Sequence, residues 1–299
     1  MIVVWVPELE ALFKEAQTCP ALVQRLRARA TPRQLDGSAP GAQLLTGKSL
    51  PAAALSRLRD APDTAETGIW MRADPVRLVP DLNAVWVQTG VRLEPDHPAL
   101  PELRELFAEV GLAFELPVAE RGYLRLDAVP NCSFEPPAAL IGQSMDHAMP
   151  EGPDARLWRR LLNDAQVILH QYRDRSEVGG LWFWGPGRLP SRAGIAPRVS
   201  HVCSRDADLL SLADWLGLSH EPLDAPARVA DHSLVCWSAD QALSADDNLQ
   251  SLADWLRPLW WRLCVARIDA LELAGGEQAW SLTPAQAWRF WRRKPRLAT

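Results

Sequence analysis

A turn rich in glycine and arginine follows an apolar run and has the composition of an anion-binding loop. The run Leu181-Trp182-Phe183-Trp184 is typical of a buried strand, and Gly185-Pro186-Gly187-Arg188 comes directly after it. Glycines let the backbone approach a ligand, arginine offers a fork of donors to an oxyanion, and ligands bind beyond the carboxyl ends of parallel strands. We therefore predict a ligand site at Gly185, Gly187, Arg188, Arg192 and Arg205. A turn that is shaped by its glycines and carries a surface arginine is the alternative.

The groups needed for nucleophilic or metal-dependent catalysis do not occur at recognisable spacings. A nucleophile elbow needs Gly-x-Ser-x-Gly, but Asp146 stands where the second glycine should follow Gly142-Gln143-Ser144. Three histidines follow an aspartate directly without a second ligand one helical turn away: Asp96-His97, Asp146-His147 and Asp231-His232. Neighbouring residues of a strand point to opposite sides, so such a pair does not form a metal cage. We predict no catalytic residue, no metal ligand and no cofactor.

Composition limits the class of protein and its partners. Hydrophobic residues make up 47% of the 299 residues and charged residues 23%, as in an ordinary packed protein, and the net charge of −5 gives no attraction to nucleic acid. The sequence contains no apolar run of the roughly 20 residues that a membrane helix needs. We expect a cytoplasmic protein whose partner is an anionic small molecule or another protein, with no nucleic acid and no membrane.

The cysteines and tryptophans add to this expectation. Five cysteines lie far apart, without a Cys-x-x-Cys pair, which favours reduced thiols and argues against a zinc site or a disulfide framework. Fourteen tryptophans are present beside two tyrosines. Tryptophan buries a large area, so these rings are interpreted as core filling, with an aromatic partner surface as the alternative.

Hydrophobic patterning divides the chain into three parts. Residues 2–6 predict a strand, Leu9 to Ala16 a helix, and the glycines and prolines of 31–51 a loop-rich module edge. Between 69 and 127 the pattern predicts strands at 69–71, 84–87, 113–117 and 123–127 and a helix at 98–110. We predict the first part of an α/β core at 1–68, a small α+β insertion at 69–135 and the main part of the core at 136–299.

The last part alternates apolar strands with helices. A helix is predicted at 154–171, followed by strand and helix pairs at 199–203 with 206–216 and at 233–237 with 246–263, and a strand at 268–273. Strands separated by helices of this length are typical of a parallel sheet that is covered on both faces. The predicted fold class is α/β, with a mostly parallel sheet and helices on both faces.

The segment Leu181–Pro190 resembles a signature of the archaeal-type, cofactor-independent phosphoglycerate mutases. Those enzymes carry a similar apolar strand, a Trp-Gly-x-Gly-Arg turn and a nearby proline, and the likeness extends over about 136–224, including Ile141-Gly142-Gln143 and Met149-Pro150-Glu151-Gly152. The resemblance implies an alkaline-phosphatase-like core.

A more specific likeness is to the RpfE-type regulatory proteins of plant-associated and related proteobacteria. Two segments carry it, Arg72-Ala73-Asp74-Pro75-Val76 with Leu78 and Pro80-Asp81, and Trp182-Phe183-Trp184-Gly185 with Gly187-Arg188-Leu189-Pro190. This resemblance implies a regulatory protein related in fold to the mutases.

The chain departs from the mutase pattern where the resemblance implies two metal ions. The first strand is followed by Pro7-Glu8, the strand at 234–237 by Ser238-Ala239-Asp240, and the strand at 268–273 by Ala274-Gly275-Gly276. Without Asp and His side chains to hold two metal ions, no metal charge stabilises the phosphoryl group during its transfer. We predict a non-catalytic regulatory or ligand-binding protein. The alternative is a genuine mutase or phosphohydrolase with ligands such as Asp206, Asp208, Asp231 and His232.

Overall fold

The computed structural model describes residues 1–35, 39–81, 84–140, 144–223 and 228–289. The described part forms two compact units. One consists of residues 1–49 and 191–299, and the other is Leu50–Pro190. The sequence predicts boundaries after residues 68 and 135, and these boundaries stay predictions.

The described residues contain twelve strands and ten α-helices, numbered in chain order. The strands are β1 (Ile2–Trp5), β2 (Thr31–Gln34), β3 (Ile69–Asp81), β4 (Ala84–Gln88), β5 (Ala113–Val118), β6 (Arg121–Leu126), β7 (Gly180–Gly187), β8 (His201–Cys203), β9 (Ser219–Glu221), β10 (Ser233–Cys236), β11 (Leu271–Ala274) and β12 (Gln278–Leu282). The helices are α1 (Leu9–Glu15), α2 (Ala21–Arg29), α3 (Pro40–Thr46), α4 (Ala52–Asp60), α5 (Pro62–Ala65), α6 (Leu100–Ala108), α7 (Ala155–His170), α8 (Ala207–Leu216), α9 (Ala245–Cys264) and α10 (Pro284–Ala287).

The first unit is built on a mixed sheet with the strand order β2-β12-β11-β1-β10-β8-β9. The five strands from β11 to β9 run parallel, while β12 and β2 pair antiparallel. The predicted parallel sheet is thus confirmed for part of this unit. Because strand side chains alternate, Ile2 and Val4 face a core that includes α1, α2 and α9, while the fully buried Val3 faces the other side. Helix α3 contacts β1 and α8.

Local sequence signals set the ends of helix α8. The Asp206 carboxylate accepts a hydrogen bond from the Leu209 N–H at 2.7 Å, which is the usual N-cap contact. Gly217 takes the left-handed conformation after the last turn, with φ of 71°. The helix predicted at 206–216 is therefore confirmed, and its neighbour α9 begins in the same way after Ser244.

The second unit is built on an antiparallel sheet with the order β4-β3-β6-β5, and β7 also pairs with β3. Met71 and Ala73 face a large core with α6 and α7, whereas Trp70 lies on the opposite face, where α4 contacts β3 and β7. The sequence places the run at 181–184 in the parallel sheet, and that placement is wrong. A fully apolar strand is typical of any sheet covered on both faces, which is the situation of β7.

Two further expectations need correction. The stretch 31–51 contains β2 and α3, although glycine and proline predict a loop there. Strand β3 extends to Asp81 and does not end at residue 71. Residues 141–143 of the mutase-like linker lie outside the described residues.

Within the ranges that the structure describes, no helix combines the length and apolar character needed to span a membrane.

A half-buried carboxylate shapes the turn between β11 and β12. Glu10 accepts hydrogen bonds from the backbone N–H groups of Gly276, Glu277 and Gln278 at 2.9, 3.1 and 3.2 Å. A Cβ atom on Gly275 would lie 2.2 Å from Glu10 Oε2, so a side chain at this position would have to displace the Glu10 carboxylate from its three hydrogen bonds. The turn is therefore closed by the protein's own side chain.

We expect Gly275→Ala to destabilise the protein by about 1–3 kcal/mol, because the added methyl must displace the Glu10 carboxylate. Gly194→Ala is the control, since no atom lies within 4 Å of its Cβ position, and its effect should stay within about 0.5 kcal/mol. Urea unfolding followed by circular dichroism measures both. Equal stability of the two variants would contradict this view of the turn.

Candidate functional site

The predicted glycine turn lies at the end of β7 and is packed against protein. Gly185 and Gly187 have φ of 61° and 157°. A Cβ atom would lie 2.9 Å from the Ala52 Cβ at Gly185 and 2.5 Å from the Pro51 Cβ at Gly187. The glycines therefore allow a close approach of the chain to the start of α4. Since β7 belongs to an antiparallel sheet, the expectation of a crevice beyond a parallel strand does not apply to this turn.

The predicted arginines are exposed and divided between the units. Arg188 belongs to the 50–190 unit, whereas Arg192 and Arg205 belong to the other. Arg192 Nη2 lies 2.5 Å from the Cβ position of Gly217, at the end of α8. Ligand binding by Gly185, Gly187, Arg188, Arg192 and Arg205 stays a prediction.

The strand ends where the mutase resemblance implies metal ligands have other roles. Glu10 is bound to the backbone of the turn after β11, as described above. At the last residue of β10, burial raises the pKa of the Cys236 thiol to about 11, with hydrogen bonds from Ser204 and Ser238 acting in the opposite direction. Such a thiol is protonated and inert at neutral pH.

A buried ion pair lies one strand away from the predicted turn. Arg72 Nε and Nη2 donate to Asp74 Oδ1 and Oδ2, both at 2.8 Å, and the Trp184 indole N–H donates to Asp74 Oδ2 at 2.7 Å. The two side chains of the pair are only 8% and 11% exposed. Because Arg72 is opposite Trp184 in the β3–β7 register, these contacts connect the two strands through side chains as well as backbone.

The environment of Asp74 combines two opposing effects. Burial raises the pKa of its carboxyl group, while the charge of Arg72 and the hydrogen bonds from Arg72 and Trp184 favour the ionised form. Asp74 occupies Nε and Nη2, and among the described residues no hydrogen-bond partner is seen for Nη1. Arg72 is thus fixed in orientation while one face of its guanidinium remains suited to an anion.

Aromatic rings alternate with arginines on this side of the sheet. The Arg57 guanidinium carbon lies 3.4 Å from the ring centroid of Trp70 and 5.2 Å from that of Tyr123. The corresponding carbon of Arg72 lies 5.5 Å from the Tyr123 centroid and 5.1 Å from the Trp184 centroid. Such cation–π contacts are strongest where water is excluded. Tyr123 and Trp184 lie opposite Arg72 on the two strands that flank β3, so both rings limit the movement of its side chain.

Tyr123 and Arg121 are held by a second carboxylate. Asp60 accepts hydrogen bonds from the Tyr123 hydroxyl at 2.6 Å and from Arg121 Nη2 at 2.7 Å. The Asp60 side chain is 1% exposed. Burial raises the pKa of Tyr123, so its hydroxyl keeps its proton. Helix α4 thereby fixes the positions of Arg121 and the neighbouring ring.

These side chains line a cavity of about 490 Å³ within the 50–190 unit. Its basic side chains are Arg59, Arg72 and Arg121, its acidic ones are Asp74 and Glu120, and Trp184 forms an aromatic wall. The volume is in the usual range for small-molecule sites, which are concave and carry a few converging polar groups. We call it the Arg72 cavity.

A larger cavity of about 970 Å³ in the same unit is a weaker candidate. It is lined by surface ion pairs such as Arg77–Glu177 and Arg92–Glu94, whose side chains are between 46% and 71% exposed. Exposed pairs contribute little and do not fix side-chain positions. His97 lies at its edge, and its Nδ1 accepts the Ala99 N–H at 3.2 Å. The Arg72 cavity therefore has the better organised donors.

Known proteins offer only distant likenesses. No protein-family model matches the chain, and no curated protein is significantly similar to it. Among solved structures, the cofactor-independent phosphoglycerate mutase from Thermoplasma acidophilum is 14% identical with a TM-score of 0.40, over 94% of this chain and 89% of that chain. The PH0037 protein from Pyrococcus horikoshii is 11% identical with a TM-score of 0.43, over 94% and 87%.

The structural neighbours thus include a fold of the cofactor-independent phosphoglycerate mutase kind. At these identities and TM-scores the likeness identifies neither an activity nor a site. The resemblance to RpfE-type regulators stays a prediction.

Removing the charge of Asp74 should destabilise the protein strongly. Asp74→Asn keeps the shape but leaves Arg72 as an uncompensated buried cation, which costs about 3–5 kcal/mol. Asp164→Asn is the control, because it removes one member of the exposed Arg160–Asp164 pair and should cost at most about 0.5 kcal/mol. Urea unfolding measures both, and equal losses would contradict the proposed role of Asp74.

Glu272 in β11 should make stability depend on pH. It is 2% exposed; burial raises the pKa of its carboxyl, but hydrogen bonds and charges of Arg198 and Arg33 outweigh burial and hold the pKa below the usual value. A depressed folded-state pKa stabilises the protein above the unfolded value of about 4.3, and this stabilisation is lost as pH falls through the folded-state pKa.

Unfolding free energies between about pH 6 and about pH 3 should therefore fall more steeply in the wild type than in Glu272→Gln, which cannot take up that proton. Identical pH dependence in the two proteins would contradict this assignment. The Arg198–Glu272 ion pair also gives Arg198 a structural role. Arg198 lies between the predicted ligand residues Arg192 and Arg205 in sequence, but it donates to Glu272 at 2.9 Å.

Proposed function

We propose that this protein is a non-catalytic, phosphoglycerate-mutase-like regulator that binds a small oxyanion-bearing molecule in the Arg72 cavity. The observation that carries the proposal is the fixed guanidinium of Arg72, which is held by Asp74 and lies within cation–π distance of Tyr123 and Trp184. A donor that is already oriented loses little entropy on binding, so it favours an anion more than a mobile surface arginine does.

The charge pattern of the cavity supports an anionic ligand. Asp74 is neutralised by Arg72, and Glu120 contacts Arg92. Arg59 extends from α4 at the rim, and Arg121 is fixed by Asp60. Phosphate esters and carboxylates are the ligands that arginine forks recognise, and Trp184 offers a surface for the uncharged part of the molecule.

The non-catalytic part of the proposal is supported by the strand ends of the first unit. Two-metal phosphoryl transfer needs converging carboxylates and imidazoles that hold ions about 3.5–4 Å apart. In this chain Glu10 is committed to backbone amides beside Gly275, and a buried cysteine ends β10. The Glu10 carboxylate is thus engaged in structure, and the Cys236 thiol is buried.

Calorimetric titration tests the binding step. The full chain is titrated with inorganic phosphate, 3-phosphoglycerate, glycerate and uncharged glycerol, and the anions but not glycerol should bind. Arg59→Gln should weaken binding by about fivefold to tenfold, because it removes a charged donor from the cavity. Arg104→Gln, which changes an exposed arginine of α6 outside the cavity, should leave affinity unchanged.

Arg188→Ala separates the two candidate sites. If Arg188→Ala weakens anion binding while Arg59→Gln does not, the ligand occupies the predicted glycine turn and the Arg72 cavity proposal is wrong. Equal affinity for glycerol and glycerate would also contradict it.

A phosphoglycerate mutase assay with added Mn²⁺ tests the non-catalytic assignment. We expect no interconversion of 2- and 3-phosphoglycerate above the protein-free rate. Mutase activity that stays with the protein through purification would show that it is an enzyme, whatever the calorimetric titrations show.

A further inference from the structure

A second cluster of chemically active side chains lies in the other unit, on the parallel strands β8 and β9. Their register pairs His201 with Ser219 and Cys203 with Glu221. Residues two apart in a strand point to the same side, so these four side chains share one face of the sheet edge. The grouping arises from pairing between strands and is not visible as a spacing along the chain.

Three of these residues bring different donor atoms together. One ligand atom each from His201, Cys203 and Glu221 can be chosen so that all lie within 4.8 Å of one another. His201 Nε2 is 3.0 Å and Cys203 Sγ is 3.8 Å from Glu221 Oε1. Zn–N and Zn–S bonds of about 2.0 and 2.3 Å place ligand atoms roughly 3.3–3.8 Å apart, so small side-chain adjustments suffice.

Ser219 contacts the imidazole of His201 on the side away from Glu221. The Ser219 hydroxyl donates to the Ser200 carbonyl at 3.3 Å, and its oxygen lies 2.7 Å from His201 Nδ1. A hydrogen bond at one ring nitrogen orients a metal-binding histidine toward the ion through the other nitrogen. This contact therefore directs Nε2 of His201 toward Glu221.

His201 Nε2 is a buried polar atom beside a carboxylate oxygen. Among the described residues it has no partner with hydrogen-bond geometry, although Glu221 Oε1 is 3.0 Å away. A divalent ion at this point would take ligand atoms from His201, Cys203 and Glu221 together, because these atoms already lie within 4.8 Å of one another.

We propose that His201, Cys203 and Glu221 form a zinc site with an open fourth position. Imidazole and thiolate favour Zn²⁺ over the hard cations Mg²⁺ and Ca²⁺. Three protein ligands leave one position for water or an external ligand, in contrast to closed structural sites with four protein ligands. Cys203 is 1% exposed and anchors the site in the core, while Glu221 lies at the surface and closes it.

Metal titration of the full, chelator-treated chain tests the site. Zn²⁺ should bind with a stoichiometry of one per chain, and Co²⁺ in its place should give a thiolate-to-metal charge-transfer band. His201→Gln and Glu221→Gln change partly exposed side chains and should each weaken Zn²⁺ binding by at least about tenfold, and Ser219→Ala by roughly tenfold. Cys203→Ser should abolish the charge-transfer band.

Two variants serve as matched controls. His220→Gln alters the residue between Ser219 and Glu221 on β9, whose ring contacts Asp214, and Cys264→Ser removes a thiol at the end of α9. Both should bind Zn²⁺ like the wild type. If Cys203→Ser does not fold, the His201 and Glu221 variants decide the matter. Absence of stoichiometric Zn²⁺, or equal losses in His220→Gln, would overturn the proposal.

Discussion

The buried carboxylate of Asp74 is the constraint on which the 50–190 unit depends. A charge in the middle of a sheet is costly to bury, and it is tolerated here because Arg72 and the Trp184 indole use both of its oxygens. The same contacts fix Arg72 between two aromatic rings. The side chain that neutralises the buried charge also lines the cavity, so the proposed binding would depend on the same group as stability.

The first unit uses its polar groups in a different way. Glu272 and Glu10 hold two arginines and a backbone turn, so the carboxylates at this part of the sheet are engaged in structure. Strands β8 and β9 differ, because their His, Cys and Glu side chains face one another and Nε2 of His201 is buried without a hydrogen-bond partner among the described residues. We therefore propose a metal between β8 and β9 and an anion in the Arg72 cavity.

Sequence patterns predict much of the local secondary structure, but they predict little about which strands pair with each other. The helices at 154–171 and 246–263 are confirmed as α7 and α9, because periodic apolar residues and capping signals are local. Strand β3 is predicted too short because Arg72 and Asp74 interrupt its apolar pattern. Arg72 and Asp74 neutralise each other, and Asp74 also accepts a hydrogen bond from Trp184, which is far along the chain. The spacing of residues in the sequence does not predict this arrangement.

The ligand residues illustrate the same limit. Gly185 and Gly187 have the composition of a phosphate loop, yet Pro51 and Ala52 explain the lack of a side chain at both positions. The segments that carry the RpfE-type resemblance, around Arg72 and Trp184, are brought together by the β3–β7 pairing. A charged pair inside an otherwise apolar strand is the signal that could have identified the site.

Nuclear magnetic resonance of the tryptophan indole groups tests the central claim most directly. The Trp184 N–H signal, assigned by its loss in Trp184→Phe, should shift saturably as 3-phosphoglycerate or inorganic phosphate is added, because the anion binds beside the Asp74–Trp184 hydrogen bond. A Trp184 signal that stays in place while calorimetry detects anion binding would show that the ligand lies elsewhere and would contradict the account.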